Sequence, residues 1–300
     1  MLSLFSHIRS LTSRRPRTVA CAVAGGVAVF ALVARDGSEN STLAPQNRPG
    51  NVVIAPRVPL RMIFHPLFKT PDHEFEAGTA FLARVPFCSD PLLLTALQNI
   101  GPAGGYYVQA SGDSLDDTVS GIELREAFSG AKLLSPEFDP LPLHGTAPLG
   151  TPSASGDVAA FRARGSGHLD SGQLTEEEAP PSPGSHIWLA FGEVAPNEAE
   201  ENPPVPSAPA PPRVHHGLVK ESRDGLLYYT LDDPAVPLRG SAGAPLLAEG
   251  GRIIGIHLGS TTENGVVQGI ATPASRFLAA LREACLPAPE PVAADGKAQN

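Results

Sequence analysis

From about Arg61 onward, short apolar runs alternate with turn-forming residues, the pattern of a β protein. Gly78-Thr79-Ala80-Phe81-Leu82-Ala83 and Pro91-Leu92-Leu93-Leu94-Thr95-Ala96 read as paired strands joined through Pro86 to Asp90. Tyr106 to Ala110, Val119 to Leu124 and Asp157 to Arg162 supply further strands. A second set begins at Ile187-Trp188-Leu189-Ala190-Phe191-Gly192 and resumes at Gly217 to Val219 and Leu226 to Thr230. Arg252 to Leu258 and Gly265 to Ala271 complete it. One stretch has a different period: between Ala274 and Cys285, Phe277, Leu278 and Leu281 fall at helical spacing, and Pro287, Pro289 and Pro291 end that helix.

Composition shifts mark the boundaries. Residues 36–60 are a polar linker, 61–164 a first β unit, and 165–185 a Gly-, Glu- and Pro-rich connection. Residues 186–285 form a second β unit with the closing helix, and 286–300 a flexible tail. An acidic, Pro-rich insertion at 196–213 interrupts the second unit and lacks the apolar side chains that offset the entropy of ordering.

The first 35 residues are of another kind. Arg9, Arg14, Arg15 and Arg17 precede an apolar run over 18–34, which Arg35 and Asp36 close. The run is long for a cleaved signal peptide and short for a spanning helix, so a signal peptide and a membrane anchor both fit. Either places the folded part outside the cytoplasm, because the positive flank stays inside. In that oxidising setting Cys88 and Cys285 could pair; two buried thiols are the alternative. The net charge of -9 argues against a nucleic-acid partner.

Three segments carry candidate chemistry. Leu94-Thr95-Ala96-Leu97-Gln98-Asn99 resembles the L-T-A-x-H segment that holds the general base of trypsin-like serine proteases. Gly156-Asp157-Val158-Ala159 resembles the segment of the orienting aspartate, and Gly240-Ser241-Ala242-Gly243-Ala244-Pro245 the G-x-S-G-x-P turn of the nucleophile. Gln98 precedes Asp157 by 59 residues and Asp157 precedes Ala242 by 85, which keeps the family order. The chain therefore resembles a degenerate member of the trypsin-like, chymotrypsin-fold family. That resemblance implies two antiparallel Greek-key β-barrels with a short C-terminal helix and a site in the cleft between them.

Family chemistry needs a hydroxyl activated by an imidazole that a carboxylate orients. Of those positions only Asp157 keeps its side chain: Gln98 stands for the histidine and Ala242 for the serine. Ser241 is a neighbour whose side chain leaves the turn in another direction. Asp157 either bonds the Gln98 amide or serves as a strand-end carboxylate satisfied by backbone N–H groups. The resemblance implies an oxyanion hole made by the Gly240 and Ala242 amides, provided the turn has not collapsed.

Gly255-Ile256-His257-Leu258-Gly259 resembles the G-x-H-x-G strand of glutamyl endopeptidases and viral chymotrypsin-like cysteine proteases. The likeness implies an S1-like pocket at Val236, His257 and Gly259 that takes Glu or Gln; a core histidine is the other reading. His215-His216 is a weak metal candidate against a solvated strand edge. No phosphate loop, zinc pattern or dinucleotide fingerprint stands in the sequence, so no cofactor or metal is expected. The function these residues support is a pseudoprotease that binds a peptide or protein segment, extracytoplasmic and either secreted or tethered through 18–34. The rivals are an enzyme with an unconventional site and a structural scaffold.

Overall fold

In the computed structural model the described residues are 53–59, 61–127, 131–132, 136–153, 155–165, 169–192 and 213–286. The segment 1–35, nearly all of the 196–213 insertion and the tail beyond residue 286 lie outside them. Among the described residues no helix is long and apolar enough to cross a membrane.

The chain builds two antiparallel β units. The first contains β1 (Ile63–Lys69), β2 (Glu74–Glu76), β3 (Ala80–Arg84), β4 (Leu92–Thr95) and β5 (Gly121–Glu126). It also contains β6 (Glu137–Leu141), β7 (Ala159–Arg164) and β8 (Gly172–Gln173), with the four-residue helix α1 (Leu115–Thr118) between β4 and β5. These strands run β2-β1-β3-β4-β7-β6, with β5 also on β1 and β8 on β3, a half-barrel whose ladder does not close. The second unit does close. Its strands are β9 (His186–Phe191), β10 (Arg213–Arg223), β11 (Leu226–Leu231), β12 (Pro245–Leu247), β13 (Ile253–Glu263) and β14 (Val266–Pro273). They form a barrel in the order β10-β11-β14-β13-β12-β9, and the helix α2 (Ala274–Cys285) follows. This is the all-β double-barrel class that the sequence predicts.

Why these strands read as continuous apolar runs is visible in their two faces. Successive side chains point to opposite sides of a strand. On β9, Ile187, Leu189 and Phe191 fill the second barrel while Trp188 and Ala190 join the core between the units. On β3, Ala80 and Leu82 face the first unit's interior, and Phe81 and Ala83 face the shared core. On β4, Leu93 takes the first role and Leu92 and Leu94 the second. Both faces are buried, so hydrophobic alternation disappears and the run alone marks the strand. Each buried Leu, Ile or Phe among them contributes about 1.5–3 kcal/mol through burial.

The closing helix adds Ala274, Phe277, Leu278, Ala280 and Leu281 to the same shared core. Its last residue, Cys285, is disulfide-bonded to Cys88, with 5.4 Å between the Cα atoms. The Arg282 guanidinium lies over the Phe87 ring at 5.2 Å from its centroid. The helix therefore holds both units, and of the two readings of the cysteines the bonded one is observed.

Two segments differ from expectation. Tyr106 to Ala110 is a loop between the 3-10 turns Pro102–Gly104 and Gly112–Ser114, not a strand. Tyr106 stacks on Phe75 at 5.3 Å, and the Gln109 amide donates to the carbonyls of Leu97, Ile100 and Ala110, so the loop satisfies itself without a ladder. The 165–185 connection is more than a spacer. Leu169 and Leu174 are buried, β8 pairs in parallel with β3, and the Thr175 N–H donates to the Ile253 carbonyl at 2.8 Å.

Candidate functional site

The 3-10 turn Leu97–Asn99 follows β4 directly, and the turn 238–244 leads into β12. The structure brings the two together through a chain of hydrogen bonds. The Thr79 hydroxyl donates to the Gly240 carbonyl at 2.7 Å, and the Thr79 N–H to the Ala242 carbonyl at 2.8 Å. Asn99 Nδ2 donates to the Ala242 carbonyl at 2.9 Å and to the Thr95 hydroxyl at 3.0 Å; that hydroxyl in turn donates to the Thr79 carbonyl. On the other side the Gly243 N–H donates to the His257 carbonyl at 2.7 Å, and the His257 N–H to Ala244 at 2.8 Å. The turn is thus clamped from both units.

Glycine makes the clamp possible. Gly240 and Gly243 have φ values of 78° and 92°, a region that costs other residues strain. A Cβ on Gly243 would also sit 2.0 Å from the Thr79 carbonyl oxygen. Within the turn, the Ser241 hydroxyl donates to the Leu238 carbonyl at 2.6 Å and is buried, so it faces inward. The Ser241 carbonyl accepts from the Ala244 N–H at 2.9 Å. A trans peptide directs its N–H opposite to its C=O, so the Ala242 N–H is aimed out of the turn. Neither that N–H nor the one of Gly240 has a partner among the described residues.

Asp157 and Gln98 are neighbours, but not through their side chains. The buried carboxylate of Asp157 accepts from the Gln98 backbone N–H at 3.0 Å and from the Leu149 N–H at 2.7 Å. The Gln98 side-chain amide instead donates to the Leu258 carbonyl at 2.5 Å. Of the two readings of Asp157, the backbone-satisfied one describes this geometry. Burial pushes the carboxyl up to about 6, and the Gln98, Leu149 and Leu97 amides pull against that rise.

Within the second barrel, His257 is wholly enclosed, with Nδ1 bonded to the Tyr229 hydroxyl at 2.7 Å. Its Nε2 has no hydrogen-bond partner among the described residues. Burial pulls the imidazole down to about 3, so it is neutral, and the Ile270 backbone pulls against that fall. Val236 lines a small cavity with Leu231, Asp233, Pro234, Leu238, Val267 and Gly269. Gly259 lies at the β-bulge where the β13–β14 register shifts. His215 packs on the Phe191 ring, while His216 bonds His186 and Asp232. No group of three potential metal ligands comes together among the described residues.

One cavity, of about 310 Å³, is lined by Asp157, Leu149 and Arg276 among others. A cavity of about 380 Å³ adjoins the turn, lined by His65, Glu76, Ala77, Gly78, Asn99, Ala103, Gly104, Arg239, Gly240 and Ala242. Thr79 and Asn99, which hold the turn, carried no signal beyond being polar residues in apolar runs. Tyr229 could not be assigned to His257 without the register of β11.

No protein-family model matches the chain, and comparison with curated proteins finds no match. Solved structures do match. One is the Rv3671c protease from M. tuberculosis in its active form, at 14% identity and a TM-score of 0.43, covering 83% of this chain and 96% of that one. Another is the serine endoprotease from Yersinia pestis, at 14% identity and 0.45, covering 75% and 63%. A third is the HtrA-type protease AlgWS227A with tripeptide, at 14% and 0.42, covering 75% and 60%. All three are proteases. The chain spans about three fifths of the length of the last two, and the likeness concerns fold alone.

Proposed function

We propose that this protein is a non-cleaving member of the trypsin-like fold that binds a peptide or protein segment in the cleft at Gln98 and Ala242. One observation carries the reading. The turn 238–244 is clamped, its Gly240 and Ala242 amides have no partner among the described residues, and the positions for hydroxyl and imidazole hold a methyl group and an amide. Losing either partner of such a pair costs on the order of 10⁶ in turnover. Gln98 has no useful basicity, and its amide is already engaged with Leu258. A scaffold needs no unpartnered amides facing a cavity, so the geometry favours binding over pure structure. The Arg-flanked apolar segment and the Cys88–Cys285 bridge support a location outside the cytoplasm, secreted or N-terminally tethered.

The test compares the purified protein with Gln98→His/Ala242→Ser, using a fluorophosphonate probe and a peptide-hydrolysis panel. We expect the protein as found in nature to be silent and the double variant to label. Hydrolysis by the unaltered protein that vanishes on changing Asp157 or Ser241 would overturn the reading.

A further inference from the structure

Resting on the peptide-binding reading, we propose that the cleft captures the C-terminal carboxylate of a peptide, seated between the Arg239 guanidinium and the Gly240 and Ala242 amides. Arg239 lines the cavity beside those two residues and is exposed. It has no ion-pair partner among the described residues, whereas Arg61, Arg125, Arg164, Arg223 and Arg252 each meet a carboxylate. One wall of the cavity therefore carries a cation and two donors that are all without a partner among the described residues.

That donor set suits a carboxylate better than a mid-chain carbonyl. An ionised acid offers two acceptor oxygens, meets a guanidinium bidentately, and forms hydrogen bonds roughly twice as strong as neutral ones. Backbone N–H groups held by the Thr79 and Asn99 clamp need no rearrangement to receive it. The methyl group of Ala242 leaves the approach open. The acid lining this cavity, Glu76, is drawn to Arg125 at 3.4 Å, which tempers its repulsion of an anion.

The remaining lining suits a peptide end. His65 Nδ1 donates to the Gly78 carbonyl at 3.1 Å, which leaves Nε2 as the ring's acceptor for a ligand N–H. At about 380 Å³ the cavity is at the small end of ligand pockets, room for the last residues of a chain and not for a folded surface. Terminal capture in a nest of backbone donors is an established mode of peptide recognition.

The experiment uses the full protein and a fluorescein-labelled random tetrapeptide pool made twice, once with free C-terminal carboxylates and once amidated, read by fluorescence anisotropy. We expect the acid pool to bind at least about tenfold more tightly than the amide pool. Arg239→Gln, an exposed position whose change leaves the fold intact, is expected to abolish that preference, and Ala242→Leu to weaken both pools. Equal affinity for acids and amides, or a preference that survives Arg239→Gln, overturns carboxylate capture and leaves peptide binding standing. Binding of neither pool overturns both. Displacement of the acid pool by sodium acetate as readily as by unlabelled peptide acid reduces the cavity to a small-anion site and overturns the peptide assignment.

Discussion

Asp157 between the units and His257 inside the closed barrel are both buried titratable groups, yet burial drives their protons in opposite directions. The carboxyl has both oxygens bonded to backbone N–H groups and still rises to about 6. The imidazole has one nitrogen bonded to Tyr229, leaves the other without a partner, and falls to about 3. In each case the charged form is the one disfavoured, so an acid and a base are both biased toward neutrality. The lesson is that hydrogen bonds to the backbone can satisfy a group geometrically without outweighing its desolvation.

The sharpest way to break the clamp between the units is Gly243→Val. It forces a branched side chain into a positive-φ position against the Thr79 carbonyl, and we expect a loss on the order of 3–5 kcal/mol. Thermal denaturation should show a fall in Tm on the order of 10 °C. Gly265→Ala is the control, since its φ of 78° is similar and nothing lies within 4 Å of the added Cβ. It should cost only the backbone strain, about 1–2 kcal/mol.

A second experiment separates the two titrations. Stability contributed by Asp157 is fully present below its unfolded value of 3.8 and is lost as pH rises through about 6. Stability contributed by His257 is present above 6.5 and is lost as pH falls toward about 3. Between about 4 and 6 the two slopes oppose each other, so their sum is nearly flat. Urea unfolding of Asp157→Asn should show stability rising with pH in that window, and His257→Leu should show it falling, each by at most about 1.4 kcal/mol per pH unit. Parallel slopes in the two variants would remove the contrast between the sites.

A last experiment concerns the barrel pair, where the expected signal is the coupling between two residues. Tyr229→Phe alone leaves His257 with neither nitrogen bonded to a side chain and should cost about 1–3 kcal/mol. Tyr229→Phe with His257→Leu removes both partners and should cost less than the two single changes together, as a double-mutant cycle by urea unfolding would show.

How much of this was legible depends on what each feature rests on. α2 and β9 were plain, because the helical period of Phe277, Leu278 and Leu281 and the unbroken run Ile187 to Phe191 are local properties. Tyr106 to Ala110 misled, because an aromatic run also serves a loop that stacks on Phe75. Strand β12, at three residues, is too short to carry a pattern of its own. At the site, the positions of Gln98, Asp157 and Ala242 could be read from their neighbours in the chain. Their bonding could not: Leu149, Leu258 and Thr79 reach them from distant elements, as Tyr229 reaches His257, and such pairings depend on register and loop path.

The bridge between Cys88 and Cys285 has a consequence for how damage would show itself. It turns everything between those residues, including both barrel halves of the site and the 196–213 stretch, into a covalent ring. A single backbone cut anywhere on that ring opens it without releasing a fragment. A nicked molecule would keep its full mass under oxidising conditions and fall into two pieces only after reduction, so intact size alone is no measure of an intact chain.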